Sequence, residues 1–440
     1  MALLVAACRG PAEPLTIVVW DGPRWPNPLP GQPGHDPRWT PGDRFSWLKG
    51  VLAEFQALHP GVQVQLVEMN WPDLAGALQR ATDPADLPDL APLDTGLGDG
   101  VPLTWWGRGL LEAVDRFLED QTDFYPAALD AVRIGRRLVG FPVHLDLPVM
   151  LLNRELFAER GVPLPQNGRW TWEEFVEAAR KLTFDRDGDG ATDVWGFAVP
   201  ALRGCPELWP FLYLDGARPL SPDLSRYTLY PTAVEALTRL VELVAEGTAH
   251  PDTGTTATGR LFRDFALGDR QAIAIQPFST WAILTCQGGD PFGVDLEVAE
   301  YPLGSTGLPV TLGRVTAFAV LAQDRGQGLA MAARRRRVTM ELGNFLASAH
   351  QQHLLAVAHS ALPARPSVAG LAPFAGNPAL GRALEMAAWA QATPAHPEWP
   401  RIDTAVQVEL GLALRGEKTP AEALRDAGQK VRAILEEAGR

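Results

Sequence analysis

Residues 138–196, LVGFPVHLDLPVMLLNRELFAERGVPLPQNGRWTWEEFVEAARKLTFDRDGDGATDVWG, set the architecture of this chain. Leu138-Val139-Gly140-Phe141-Pro142 is a short strand pattern closed by Pro, and an apolar run at 147–152 follows with one carboxylate, Asp146, at its mouth. Residues 153–159 read as a short helix stopped by Gly161 and Pro163. Thr171-Trp172-Glu173-Glu174 opens the next helix as a capping box, the Thr hydroxyl serving the Glu174 amide while that carboxylate reaches back. Trp172, Phe175, Val176, Ala179 and Leu182 fall on one helical face.

The order GFPVHLDLPVMLLNRELFAERGVPLP, then TWEEFVEAARKL, then DRDGDGATDVWGFA resembles the extracellular solute-binding proteins of bacterial ABC importers, specifically their sugar-binding, maltose/oligosaccharide-binding-like group. Further out, FQALHPGVQVQLVEM is similar to that family's first helix and second strand, LPDLAPLDTG to its third strand and cleft loop, and AIAIQPFSTWAI to its glycan-stacking Trp segment. VTLGRVTAFAV resembles the strand returning through the hinge, and NFLASAHQQHLLAVAHSALPARPSV the helix and Pro-Ala-Arg turn beyond it. The resemblance implies a two-lobed, periplasmic-binding-protein-like α/β fold. Each lobe would be a mostly parallel sheet flanked by helices, and crossing hinge strands would join them. Residues 14–143 and 310–360 would form the N-terminal lobe, and residues 144–309 and 361–440 the C-terminal lobe.

Size and composition agree with two lobes. A chain of 440 residues exceeds what one core usually organises, and 46% hydrophobic with 21% charged residues is ordinary for a globular protein. The formal charge of −13 argues against a nucleic-acid partner, which demands dense positive charge. The basic run at 334–337 reads as a solvated helix turn.

At the N-terminus, Val5-Ala6-Ala7-Cys8 resembles the lipobox at which bacterial lipoproteins are cleaved and acylated, here on Cys8. No basic region precedes it and the apolar part is short, so residues 1–13 read as a truncated lipoprotein signal and tether. No later apolar run approaches the ~20 residues needed to span a bilayer. Cys205 and Cys286 are left as either a disulfide or two separate buried thiols.

Residues 15–20 alternate and are rich in Val and Ile, a buried strand ending at Trp20-Asp21-Gly22. Residues 23–43 are too rich in Pro and Gly for regular structure, and Trp25 and Trp39 there would form either a lid or local packing. Helix at 45–58, strand at 62–69 and further alternation of helix and strand give an α/β lobe. Thr419-Pro420-Ala421-Glu422 is a second capping box, with Pro at the first helical position.

Sugar recognition needs an aromatic face against the apolar side of a pyranose and planar polar groups for its hydroxyls. Fourteen Trp against five Tyr is a heavy allocation. The resemblance places Trp281, just after the strand at 272–276, as the stacking aromatic. Trp20 ends the first strand, Trp105 and Trp106 flank the third-strand loop, and Trp209 precedes a cleft-facing helix in relatives. Asp94 and Asp146 follow apolar strands at the end where α/β ligand sites form, and an ionised carboxylate accepts two hydroxyls at once. Arg365 resembles the turn that reaches the ligand or braces the lobes, and Gly313 would let backbone approach a sugar. Where relatives carry Tyr-Asn, this chain has Leu152-Asn153, removing one hydroxyl contact.

Asp185, Asp187, Asp189 and Asp193 occupy positions 1, 3, 5 and 9 of an EF-hand-type loop with Gly190 at position 6, but position 12 is Gly196 instead of Glu. The loop reads as a structural Ca²⁺ site or an acidic Gly turn; no cofactor is otherwise expected. No His-Glu-x-x-His, Gly-x-Ser-x-Gly or phosphate-binding Gly loop occurs. The resemblance thus implies a non-enzymatic, monomeric lipoprotein outside the cell membrane. It would capture a sugar or short oligosaccharide and deliver it to an ABC permease by hinge closure, touching the membrane only through its lipid. A secreted glycan-active enzyme and a sensory binding protein of the same fold are the rival readings.

Overall fold

The computed structural model describes residues 13–22, 43, 45–80, 84–94, 105–267, 271–287, 293–322, 327–359, 361–394 and 396–438. Cys8, Trp25 and Trp39 lie outside them. The strands are β1 (Leu15–Asp21), β2 (Val62–Glu68), β3 (Leu90–Asp94), β4 (Arg133–Ile134), β5 (Arg137–Leu138), β6 (Phe141–Asp146), β7 (Pro148–Asn153), β8 (Trp195–Phe197), β9 (Ile273–Ser279), β10 (Leu296–Ala299), β11 (Leu312–Val320), β12 (Leu362–Pro363) and β13 (Gln391–Ala392). Apart from the small β4-β5 hairpin, they form two sheets.

The first sheet has the order β12-β6-β11-β3-β1-β2, with β13 beside the start of β11. The second has the order β10-β7-β9-β8. The expectation of mostly parallel sheets holds for the β2-β1-β3 half of the first and for the β8-β9 and β11-β13 pairs. β11 runs antiparallel to both β3 and β6, and β7 runs antiparallel to both β9 and β10. The cause is topological: β11 enters the first sheet from the hinge, against the direction of its neighbours.

Two apolar interiors form, and the first also takes one face of the second sheet through Val149, Leu151, Phe278 and Val298. In the first, helix Ser46–Leu58 buries Trp47, Leu48, Val51, Leu52 and Phe55, the helical spacing expected of a core-facing stripe. In the second, helix Trp172–Lys181 buries Trp172, Phe175, Ala178 and Ala179. Its capping box forms as read: the Glu174 amide donates to the Thr171 hydroxyl at 3.2 Å, and the Thr171 amide donates to the Glu174 carboxylate at 2.8 Å. Thr419 and Glu422 make the same reciprocal pair at 3.0 and 3.3 Å.

Two crossings between the sheets lie side by side. Leu147 alone separates β6 from β7. Val310 and Leu312 belong to the second interior, and from Arg314 onward β11 pairs with β6 and β3, so it changes lobe near its start. The third passage differs from expectation: β12 pairs with β6 in the first sheet, so residues 362–363 remain with the N-terminal lobe. Helix Pro378–Ala387 then packs on β10 of the second sheet. Cys205 and Cys286 are not bonded to each other. No described helix is long and apolar enough to cross a membrane.

Candidate ligand-binding site

One end of the first sheet collects the polar groups. β1, β3 and β6 share a direction, so Trp20, Asp94 and Asp146 all stand at their C-terminal ends, where open α/β sheets bind ligands. Arg314 faces Asp146 in register across the antiparallel pair, and Thr316 faces Asp94. Trp20 is half-buried against the first core. The Asp94 side chain lies outside what the structure describes.

Asp146 is held by four donors. The Ser279 hydroxyl donates to one carboxylate oxygen, which also accepts the Thr280 amide at 3.1 Å and the Thr280 hydroxyl at 2.9 Å. The Arg314 guanidinium donates to the other oxygen and, through Nη1, to the Gly204 carbonyl at 3.0 Å. Burial works against the charged carboxylate, but Arg314 and the hydroxyl donors together outweigh it and hold Asp146 below the usual carboxylate range. The two side chains remain 15% and 18% exposed, so the pair opens to solvent where the sheets meet.

Beside this pair the chain continues from Thr280 to Trp281. Trp281 is half-buried and leans on Phe278 and Phe262, with ring centroids 5.5 and 5.4 Å away; those two rings stack on each other at 4.6 Å.

Other expected site residues serve the interior instead. Trp105 is 2% exposed and belongs to the first core. Trp209 is equally buried: its indole N–H donates to Asp403 at 2.8 Å and its ring lies 5.3 Å from that of Trp399. Arg365 is a brace within one lobe. Its guanidinium lies 3.9 Å over the Phe124 ring and donates to the carbonyls of Ala347 at 2.7 Å and Glu119 at 3.0 Å. A Cβ at Gly313 would lie 2.9 Å from the Ala127 Cβ. Its missing side chain makes room for helix Pro126–Ala131.

Three further groups lie near the site. Arg314 is the single charge in the apolar strand LGRVTAFAV, which was its only signal. Asp403 receives the Gly204 amide at 2.7 Å in addition to the Trp209 indole, and burial raises its carboxyl pKa despite both donors. Glu207, 3% exposed, is pushed up to about 7 by burial, with Arg314 acting the other way.

In the acidic loop, oxygens of Asp185, Asp187 and Asp193 lie within 4.8 Å of one another; Asp189 is not among them. Gly188 and Gly190 take φ of +82° and +91°, letting their amides turn in at 2.6 and 2.7 Å onto the two oxygens of Asp185. Gly196 excludes any side chain at position 12, since a Cβ would sit 1.9 Å from the Ala179 carbonyl.

Comparison with known proteins agrees with this fold. A family model for bacterial extracellular solute-binding proteins matches residues 50–382. The sugar-binding protein MalE from Xanthomonas citri is 17% identical, with a TM-score of 0.75 over 96% of this chain and 98% of its own. The cyclic α-maltosyl-1,6-maltose binding protein from Arthrobacter globiformis is 21% identical, with a TM-score of 0.73 over 96% of this chain and 100% of its own. An uncharacterized lipoprotein in the oleD 5′ region of Streptomyces antibioticus is 24% identical over 172 residues; that match spans 35% of this chain and 36% of the relative. The chain belongs to the bacterial extracellular solute-binding protein family.

Proposed function

We propose that this chain is the substrate-binding component of an ABC importer for a sugar or short oligosaccharide. The observation that carries the reading is one juxtaposition at the meeting of the two sheets: half-buried Trp281 adjoins the hydroxyl and carboxylate groups of Ser279, Thr280 and Asp146. That pairs an apolar face with hydrogen-bonding groups, as a pyranose requires. Similar folds in a sugar-binding protein and in a cyclic α-maltosyl-1,6-maltose binding protein support the ligand class. Lobes joined by paired crossing strands would rotate about them, and a ligand touching both lobes favours the closed form by its differential affinity.

The same reading assigns binding without turnover. It places the chain outside the cytoplasmic membrane as a monomer, tethered by an acyl group on Cys8 and handing its ligand to the permease. The match to a lipoprotein supports the tether. A Ca²⁺ ion at Asp185, Asp187 and Asp193 would be structural, remote from the sugar.

A thermal-shift screen of monosaccharides and of linear and cyclic α-glucans tests the reading, since a ligand bound only by the folded state raises its melting temperature. A saccharide that stabilises the protein and is recovered intact is the expected result. Hydrolysis or transfer of the saccharide would overturn it in favour of an enzyme.

A further inference from the structure

The Asp146–Arg314 pair sits where two strands cross from one lobe to the other. Both residues lie in the first sheet, opposite each other in register. Yet each bonds to the second lobe. Asp146 accepts from Ser279, the last residue of β9, and from the amide and hydroxyl of Thr280. Arg314 donates to the Gly204 carbonyl, and the Gly204 amide is in turn fixed by Asp403 on helix Trp399–Leu414. An ion pair within one lobe is therefore bonded at both ends to the other.

We infer that Arg314 is a positioning residue that sets the angle between the lobes rather than a group that recognises the ligand. The inference rests on the two-lobed closure described above. Bonds that bridge the lobes beside the hinge act on lobe angle before any ligand arrives, and so decide what fraction of the free protein is ready to bind. Apparent affinity scales with that fraction. Removing the bridge lowers it. Association slows; a residue that only holds the sugar would instead speed dissociation at unchanged association.

Two variants separate these roles. Arg314→Met keeps the aliphatic stem and removes every donor, and Arg314→Lys keeps a charge beside Asp146 but lacks the fork that reaches Gly204 at the same time. Small-angle scattering of the ligand-free proteins should give a larger radius of gyration for both variants than for the parent; an unchanged radius in both overturns the inference. Stopped-flow Trp fluorescence with maltotriose should show association slowed roughly 2- to 30-fold, the range of coupling changes seen for residues away from a ligand. Faster dissociation at unchanged association would also overturn it, by making Arg314 a ligand contact. If the parent does not bind maltotriose, that counts against the proposed ligand class, and the ligand-free scattering still decides the role of Arg314.

Discussion

Arg335 donates through one nitrogen to both carboxylate oxygens of Asp89, at 3.0 and 2.8 Å, inside the first lobe. Asp89 is anchored further by the Val18 amide at 2.7 Å, and Arg335 reaches the Thr16 carbonyl at 2.8 Å. The pair ties helix Leu329–Leu346 to the start of β1. Removing one partner of a buried pair strands the other charge, so Arg335→Met should destabilise the fold by about 3–5 kcal/mol. Arg337, 66% exposed on the same helix, should tolerate the change within about 0.5 kcal/mol. Urea denaturation of the two variants checks the contrast; equal midpoints would show that the buried pair is dispensable.

Trp281 and Trp209 should fail in opposite ways. Trp281→Ala is expected to weaken saccharide binding by about 1–3 kcal/mol with melting little changed, as for loss of an aromatic hot spot. Trp209→Ala should cost about 3–5 kcal/mol of stability, because it empties a packed core site and leaves Asp403 without its indole donor. Titration calorimetry on the first and thermal melts on the second settle the assignment. An unaffected affinity for Trp281→Ala would remove its stacking role.

Glu207 makes stability fall as pH rises. Its ordinary value is 4.5 and burial lifts it to about 7 in the folded protein. Between those values the unfolded chain has released a proton that the folded chain keeps, so unfolding gains ground with increasing pH; above about 7 the effect levels off. Glu207→Gln should flatten that part of the profile. Melting temperatures of parent and variant across the window provide the measurement, and parallel profiles would show that Glu207 does not titrate there.

Calcium should raise the melting temperature and a chelator lower it, if three convergent carboxylates and a glycine at the sixth position suffice without a twelfth-position ligand. Asp187→Asn should abolish the response. Identical melts of the parent in calcium and in chelator would make the loop a turn closed by the Asp185 and Asp193 carboxylates.

Local patterns were legible in the sequence because their causes are local. The capping boxes at Thr171 and Thr419, the alternation of β1 and the stripe of helix Ser46–Leu58 each depend on residues within one or two turns. The site was less legible because its bonds are long in sequence. Asp146 and Arg314 are 168 residues apart, and Trp209 and Asp403 are 194 apart. Nothing near Trp209 shows that a carboxylate on a later helix waits for its N–H, so an interior Trp looked like a cleft Trp. Arg365 misled similarly, since Phe124 and the Glu119 carbonyl that occupy it come from 241 and 246 residues earlier. Arg335 shows the same limit in a charge run: the helix turns one Arg of four inward, which composition alone does not register.

The place of β11 between β3 and β6 also dictates when the protein can fold. During synthesis, the first ~150 residues supply β1, β2, β3 and β6 but not the strand that joins them, so two sheet edges stay unpaired until residues 312–320 emerge. Pairing across such separations carries a large loop-closure cost and is slow. A chain that delays its own closure in this way carries an unpaired strand edge while it is made, its main hazard of sticking to other chains.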